Sequence, residues 1–384
     1  MSDKAAPPEV KPPIVLKAPP SGRKFPCQNC GARLDFDPAV RGLKCPYCGF
    51  TEVIRRDEKV EIAERDYQEY LDKEESKGKA IEGHTSQTRC PGCGAIVLLE
   101  DKVATDRCPF CTTHLETQPQ VVTGMIAPES VLPFQVDLRA ARVAFTTWLQ
   151  GLWFAPSELK NVANLGQLTG VYLPYWTYDT MTYTFYDGQR GDNYTVTQSY
   201  TATLSDGRTE QRTRAVVHTR WSSVSGEVQN FFDDVLVCGS KSIPLERLDD
   251  LGNWNLPKLA PFDAGYLSGF QTERYAIGLR DGFKRAKELI EPEIISLIRR
   301  DIGGDHQRIG TKRTRYSGIT FKHLLLPVWV AVYRYHAKTF QVIVNGQTGR
   351  VSGARPWSWL KISVLAAAIL FVIGVIIAIV MSQQ

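Results

Sequence analysis

The amino terminus lacks the apolar run that a secretory signal requires. Its first ten residues read MSDKAAPPEV, with charges and prolines but no hydrophobic segment. We therefore expect the bulk of the chain to stay in the cytoplasm, which is a reducing compartment. In such a compartment, paired cysteines are more often metal ligands than disulfides.

The chain also lacks a recognisable catalytic motif. Residues 304–312 resemble a phosphate-binding loop, but Thr311 stands where the Walker motif requires lysine. Asp233 and Asp234 could bind a divalent ion, yet no further carboxylate is close in sequence, so a turn or cap is favoured. Cys238 has no nucleophile motif around it, and the histidines are scattered. The sequence thus predicts no catalytic residue and favours a protein that is not an enzyme.

One long apolar run is present, at the carboxyl end. Residues 362–381 contain no charge over twenty positions, which corresponds to roughly 30 Å of helix. This length matches the hydrocarbon core of a bilayer and predicts a transmembrane helix at 362–381. Only three residues follow it, so we expect a tail anchor.

The residues that flank this run predict its orientation. Arg350, Arg355 and Lys361 precede the span and no basic residue follows it, which places the preceding chain in the cytoplasm by the positive-inside rule. Trp357 and Trp359 stand where interfacial aromatics usually lie. The expected location is the bacterial inner (cytoplasmic) membrane, with the N-terminal bulk in the cytoplasm.

Eight of the nine cysteines form two copies of the pattern CxxC-x14-CxxC. The predicted metal ligands are Cys27, Cys30, Cys45 and Cys48 in the first copy, and Cys90, Cys93, Cys108 and Cys111 in the second. Two CxxC turns complete a tetrahedral four-cysteine site, so we predict two structural zinc ions, one in each ribbon. Four protein ligands leave no coordination position for a substrate.

A glycine follows the second cysteine in three of the four CxxC turns. Gly31, Gly49 and Gly94 suit the positive φ that such turns often need. Thr112 stands at the fourth position, and we therefore expect the fourth turn to be looser.

Composition divides the chain into six predicted segments. They are a disordered proline-rich leader (1–24), zinc ribbon 1 (25–55), a charged helical linker (56–88), zinc ribbon 2 (89–117), an α+β domain (118–355) and the tail anchor (356–384). In the linker, Ala63, Tyr67, Tyr70 and Leu71 form one helical stripe. Packing on a ribbon or a partner is one interpretation, and a solvated spacer helix is slightly favoured.

The larger domain reads as a mixture of helices and strands. Asp137 predicts the N-cap of a helix through Leu152. The other predicted elements are strands at 170–186, 194–204, 212–221, 324–332 and 333–344, turns at 205–208 and 345–349, and a helix at 277–300 with an irregularity at Pro292 and a buried side made of Leu279, Phe283, Ala286, Leu289 and Ile290. Residues 173–176 resemble 326–329, which suggests a duplicated helix-plus-sheet unit. The predicted fold class is α+β.

The distribution of basic residues indicates which partners the protein could bind. Between Arg299 and Lys361 there are twelve basic residues against two acidic ones, and this excess could face anionic lipid headgroups or only solvent. The strongest cluster is Lys312-Arg313-Thr314-Arg315. The first ribbon has no comparable basic face, so the charge pattern favours lipid over nucleic acid.

Several stretches resemble one family. They are WLQGLWFAPSEL (148–159), GVYLPYWTYD (170–179), SSVSGEVQNFFDDVLVCGSK (222–241), IGGDHQRI (302–309), FKHLLLPVWVAVYRY (321–335) and VNGQTGRVSGARPWS (344–358), together with the paired ribbons. The chain resembles bacterial membrane-anchored proteins with TFIIB-type zinc ribbons, often labelled primosomal protein N′ or replication factor Y. The resemblance covers about residues 25–361. It implies protein partners of the phage-shock-protein-A-like or SPFH-domain kind, in membrane-stress assemblies.

These observations together predict a tail-anchored zinc-ribbon adaptor or scaffold that docks protein partners at the membrane. The alternative is a nucleic-acid-binding protein of replication or transcription that uses its zinc ribbons.

Overall fold

The computed structural model describes residues 25–54, 62–77, 83–99, 105–116, 120–122, 126–161, 168–203, 208–335 and 338–382. Its strands are β1 (Asp35–Asp37), β2 (Gly42–Lys44), β3 (Thr51–Glu52), β4 (Arg65–Asp66), β5 (Gly83–Arg89), β6 (Ile96–Leu99), β7 (Thr105–Arg107), β8 (His114–Glu116), β9 (Gln120–Val122), β10 (Ser130–Val131), β11 (Thr169–Thr203), β12 (Thr209–Cys238), β13 (Ala260–Pro261), β14 (Gln271–Glu273), β15 (His306–Tyr335), β16 (Lys338–Asn345) and β17 (Val351–Gly353). Its helices are α1 (Tyr67–Lys77), α2 (Leu138–Gln150), α3 (Ser157–Asn161), α4 (Leu245–Asp250), α5 (Leu279–Ile302) and α6 (Trp359–Ser382), with short 3-10 turns at Leu256–Lys258 and Ala264–Leu267. This content confirms the α+β class.

Three very long strands form the spine of the molecule. β11 has 35 residues, and it pairs antiparallel with β12 on one side and with β15 on the other. At about 3.3 Å per residue, β11 is roughly 115 Å long. The two strands predicted at 170–186 and 194–204 are therefore one strand, because residues 188–191 pair with both neighbouring strands despite their turn-prone composition.

The lower part of this sheet, which we call the base, is buried on both faces. Along β15, Leu325, Trp329 and Ala331 belong to one hydrophobic cluster, whereas Val328 and Val330 belong to another. The first cluster also contains ribbon 1, α2 and α3, and the second contains ribbon 2 and α4. Burial on both faces explains why residues 324–332 read as an unbroken apolar run.

The middle of the sheet is covered on one face by α5. Tyr172 and Tyr178 share a face of β11, and Tyr178 packs on Phe283, so α5 lies on the same side as ribbon 1. Ile290, Ile294, Ile298 and Ile302 continue the contact along the sheet. The helix runs through Pro292. Leu289 is 57% exposed, so its predicted burial was wrong; the buried stripe passes through its neighbour Ile290.

The predicted strand at 333–344 is wrong. Tyr335 pairs with Lys338, so the chain reverses there and β16 returns antiparallel to β15. The predicted turn at 345–349 is confirmed between β16 and β17, with the Gly349 N–H donating to the Asn345 carbonyl at 2.9 Å. Most of the predicted turn at 205–208 lies outside the described residues, but Thr203 and Thr209 on its two sides pair as expected.

The structure tests the sequence predictions for α2 and α1. The N-cap at Asp137 is confirmed, since its Oδ1 accepts the Ala140 N–H at 2.7 Å, although α2 ends at Gln150. In the linker, α1 is not a solvated spacer, because Tyr67 and Leu71 are buried against the sheet and α5. The ring of Tyr70 contacts Phe321 edge-on at 5.4 Å.

The last helix is the apolar one. α6 spans Trp359–Ser382 and begins three residues before the predicted span. Within the described residues it is the one helix long and apolar enough to cross a membrane, and its apolar window is fully exposed. Burial against the rest of the protein therefore does not explain why this helix is apolar.

Candidate metal centres

The eight predicted cysteines come together in two groups of four. In each group the four Sγ atoms lie within 4.8 Å of one another. The Sγ atoms of Cys27 and Cys48 are 3.5 Å apart, as are those of Cys30 and Cys45. A tetrahedron with zinc–sulfur bonds of about 2.3 Å has edges of about 3.8 Å, so the first group fits such an ion.

The second group has the same dimensions. The Sγ distance is 3.4 Å between Cys90 and Cys111, and 3.6 Å between Cys93 and Cys108. In both groups the close pairs join one CxxC turn to the other. The sites therefore hold two β-turn-like loops together, as a structural metal does.

The backbone of each CxxC turn is closed by two hydrogen bonds. In the first turn, the Cys27 N–H donates to the Ala32 carbonyl at 2.6 Å and the Gly31 N–H donates to the Cys27 carbonyl at 2.8 Å. The other three turns repeat this pair of bonds. Gly31, Gly49 and Gly94 have φ of 74°, 74° and 77°, as their positions predicted.

Thr112 adopts the same conformation as these glycines. Its φ is 63°, and its N–H donates to the Cys108 carbonyl at 2.8 Å. The expectation of a looser fourth turn was wrong, because the hydrogen bonds of the turn are kept and the threonine takes the strain. For a β-branched residue this conformation is a genuine outlier.

Each centre has two ligands buried in the core and two ligands nearer to solvent. Cys27, Cys45, Cys90 and Cys108 are at most 3% exposed and belong to the hydrophobic clusters of the base. The remaining ligands, Cys30, Cys48, Cys93 and Cys111, face outward to a greater extent. A bound ion would therefore join the core to the surface.

The thiols of each group shift one another's pKa values. The Phe50 N–H is the main cause that lowers the pKa of the Cys48 thiol to about 6. A hydrogen bond from the Cys108 thiol is the main cause that lowers the pKa of Cys93 to about 5. The same hydrogen bond raises the pKa of Cys108 well above its usual range, so the shifts within the group have opposite signs. Metal binding requires every ligand thiol to lose its proton.

Both ribbons are attached to the base by backbone and side-chain bonds. In ribbon 1, the Phe36 N–H donates to the Ser268 carbonyl at 3.0 Å, and the Ser268 hydroxyl donates to the Leu34 carbonyl at 2.6 Å. In ribbon 2, β6 pairs with β14, which itself pairs with β11. The ribbons are therefore parts of the folded core rather than tethered modules.

The structure adds an acidic partner that the sequence did not reveal. Asp179 lies beside Asp233 and Asp234 because a bulge interrupts the β11–β12 register at this point. Burial raises the pKa of Asp179 to about 6. The Lys322 ammonium lies 2.8 Å from Asp234 Oδ1 and 3.1 Å from Glu64 Oε1. This internal cation favours an ion-pair network over a metal site.

The other titratable residues singled out in the sequence lie far apart. Cys238 pairs opposite Tyr175, whereas His306 pairs opposite Gly191. Sixteen residues of β11 separate these two points, which corresponds to roughly 50 Å. Among the described residues, Cys238, His306 and the acidic group therefore share no pocket.

A cluster of exposed and half-buried aromatic residues lies at the start of α6, and we call it the collar. It consists of Trp153, Phe154, Trp357 and Trp359, of which Trp153 and Trp359 are each 78% exposed. The ring centroids of Phe154 and Trp357 are 6.4 Å apart. Lys361 Nζ donates to the carbonyl of Ala155 at 2.8 Å, which joins α6 to the base. The contribution of 153–154 was not predicted, because these residues lie some 200 positions away in sequence.

The chain is similar to the uncharacterized protein YdjG of Bacillus subtilis (strain 168), with 25% identity over 340 residues. The alignment covers 88% of this chain and 92% of that protein. The chain matches no known family profile and no solved structure. The description of that relative carries no activity, ligand or partner.

Proposed function

We propose that this protein is a zinc-ribbon adaptor, anchored in the bacterial cytoplasmic membrane by α6, that docks protein partners through its cytoplasmic surface. One observation carries the proposal. Two four-cysteine centres lie on opposite faces of a single sheet, and each centre has all its ligands from the chain itself. Zinc in such centres supports a surface and leaves no position for a substrate.

The collar supports the membrane part of the proposal. Tryptophans concentrate at the membrane–water interface, where one end of the ring is apolar and the other is wet. Trp153 comes from the base and not from α6, so its depth reports where the base lies. We expect lipids brominated near the headgroup to quench Trp153 fluorescence in nanodiscs. The signal is the difference between a variant that keeps Trp153 as its sole collar tryptophan and the same variant with Trp153→Phe, because five tryptophans lie outside the collar. Emission typical of water, with no quenching, would contradict this placement.

Anionic lipid contacts are proposed for the basic residues beside the collar. Arg355 lies over the Trp357 ring at 4.5 Å, and Lys361 lies in the first turn of α6. The cluster Lys312-Arg313-Thr314-Arg315 is close to the anchor in sequence but twenty residues along β15 from Tyr335, or roughly 65 Å. Each basic residue that reaches the surface would add about 1 kcal/mol.

The partners can be identified by capture from detergent-solubilised membranes. The resemblance leads us to expect phage-shock-protein-A-like or SPFH-domain proteins in the eluate of the full chain. A matched control is the chain with Cys30→Ser and Cys93→Ser, which disrupts both centres and keeps α6. Partners that depend on the ribbons should be lost from the control. Recovery of replication proteins or specific DNA, without membrane proteins, would overturn the adaptor.

Nucleic-acid binding through the ribbons has less support. In ribbon 1, Arg33 Nε lies 3.3 Å from Asp35 and Lys44 Nζ lies 3.2 Å from Asp37, so both charges are paired within the ribbon. A phosphate binder needs an unpaired basic face. If the ribbons do bind DNA or RNA, the affinity of the detergent-solubilised chain should fall steeply as the salt concentration rises.

A further inference from the structure

The outer edge of β12 is open along almost its whole length. β12 has 30 residues, and among the described residues β11 is the only strand that pairs with it. An open edge presents unpaired N–H and C=O groups that can bind another strand. Most of the side chains along Thr209–Asp233 are exposed or half-buried.

This edge carries few of the features that normally prevent pairing. From Thr209 to Phe232 the register with β11 is unbroken, and the segment contains no proline. Natural edges of this length are usually interrupted by bulges, prolines or a covering element. The free edge of β12 can therefore form backbone hydrogen bonds with a further strand.

The far end of the sheet needs such a neighbour for its own stability. β15 begins at His306, opposite Gly191, so that beyond this point only Asp192–Thr203 and Thr209–Arg220 remain paired. We call this two-stranded part the tip. Tyr194 and Tyr200 in the tip are 43% and 41% exposed. An isolated two-stranded hairpin is at best marginally stable in water.

The charges of β12 are separated along the strand. Its tip half carries Arg212, Arg214 and Arg220 against Glu210, which is a net charge of +2. Its base half carries Glu227, Asp233 and Asp234 with no basic residue, which is a net charge of −3. A second copy in antiparallel orientation would place each tip half against the opposite charge. A parallel copy would place like charges together, which is unfavourable.

We propose that β12 pairs with β12 of a second copy of this chain, antiparallel, so that two sheets join into one continuous sheet. Each tip then lies along the base half of its neighbour. The twofold axis is perpendicular to the sheet and leaves the faces of both copies on the same sides. Because α2 and α3 pack on one face and α6 begins against the segment between them, the starts of both anchors lie on that same face.

Charge reversal tests this pairing with the full chain in nanodiscs or detergent, by mass photometry. The first variant is Arg212→Glu with Arg214→Glu, and the second is Glu227→Lys with Asp233→Lys. Each makes the two halves of the edge alike in sign, so we expect each variant alone to dissociate at least tenfold more readily than the wild type. An equal mixture of the two variants restores opposite charges, and we expect it to form heterodimers.

The matched control is Arg139→Glu with Arg142→Glu on the exposed side of α2, which changes the net charge as the first variant does but lies away from β12. We expect it to dimerise like the wild type. A monomeric wild type, dimers of either edge variant that persist unchanged, or a mixture that fails to pair would each overturn the proposal. Folding is checked separately, since each variant should keep the wild-type circular dichroism spectrum and two zinc ions per chain, and a mixture of two folded variants that fails to pair counts against the proposal.

Discussion

Thr112 shows how a single residue carries strain for a metal centre. Three CxxC turns use glycine at this position, and the fourth holds a β-branched residue at φ 63°. A left-handed conformation costs about 1–2 kcal/mol for such a residue. Glycine would remove this cost, although it gains more freedom in the unfolded chain, by about 0.4–1 kcal/mol.

We therefore expect Thr112→Gly to stabilise the protein by about 0.5–1 kcal/mol. The measurement is urea unfolding of the zinc-loaded chain in detergent. Gly94→Thr, at the equivalent place in the preceding turn, is the matched control and should destabilise by a similar or larger amount. Equal stability of all three proteins would show that the turn does not impose the conformation.

His323 is a buried base in the core of the sheet. Its Nδ1 lies 2.9 Å from the Ile126 carbonyl, and its ring stacks on Trp176 at 4.7 Å. Burial lowers the pKa of His323 to about 4. The folded state thus excludes a proton that the unfolded chain binds below a pKa of about 6.5, so stability is lost as the pH falls from about 6.5 to 4.

The loss attributable to His323 should amount to roughly 3 kcal/mol across this window. We expect His323→Gln to flatten the acid side of a plot of unfolding free energy against pH, and the exposed His218→Gln to leave it unchanged. The difference between proteins is the measured quantity, because burial also raises the pKa of Glu129 to about 7 and gives the opposite trend. Parallel curves for wild type and His323→Gln would exclude this role.

Residue-level prediction from sequence succeeded where a ligand set is local. Cys27 and Cys30 define a turn by their spacing alone, so their pairing with 45 and 48 needed no knowledge of the fold. Asp179 and Phe154 were missed because their partners lie more than fifty residues away in sequence, and a bulge or a loop brings them together. The periodicity of the sequence does not reveal such long-range contacts.

At the scale of elements, α5 illustrates how one stripe stabilises the long sheet. Ile294 and Ile298 are at most 1% exposed against β11 and β12, whereas Leu289 on the same helix is 57% exposed. The helix covers the sheet on one face, and the apolar stripe is its principal contact with the strands. Removal of buried methyl groups from this stripe should therefore destabilise the middle of the sheet.

We expect Ile294→Ala to lower the free energy of unfolding by about 2–5 kcal/mol, because it leaves a cavity beneath the helix. Leu289→Ala is the matched control and should change stability by less than about 0.5 kcal/mol. Both are measured by chemical denaturation of the full chain. Similar losses for the two variants would contradict the assigned face of α5.

Helix positions were predictable, but strand lengths were not. The α5 stripe follows the 3.6-residue period of a helix, and the structure shifts its bounds by only two residues. Residues 188–191 contain two glycines and were left between two predicted strands, yet pairing with β12 and β15 keeps them extended. The proposed duplication stays a prediction, although α2–β11–β12 and α5–β15–β16 share one order and Leu173 lies opposite Leu326.

At the scale of the whole molecule, the two centres enclose the base from opposite faces. Cys27 and Cys45 belong to the hydrophobic cluster on one side, and Cys90 and Cys108 to the cluster on the other. Structural zinc contributes on the order of 10–16 kcal/mol to small ribbons. Part of this free energy should stabilise the hydrophobic core that the ribbons share with the sheet.

We expect two zinc ions per chain by metal analysis, and a chelator should lower the main thermal transition instead of removing a separate small one. Cys30→Ser should reduce the content to one zinc. Cys238→Ser is the control, because this buried thiol lies beside Pro174 and Ser240 and should leave two. A main transition that is unchanged after complete removal of zinc would show that the ribbons fold independently of the base.

The attachment of the ribbons to the core has a consequence for the life of the protein in a cell. A newly made chain that finds no zinc would leave apolar side chains such as Leu34, Phe36 and Leu115 uncovered on both sides of its sheet. Proteases and chaperones recognise such surfaces, and small changes in folding free energy alter abundance severalfold. The amount of this protein in the cell should therefore follow the supply of zinc, even when its gene is expressed at a constant rate.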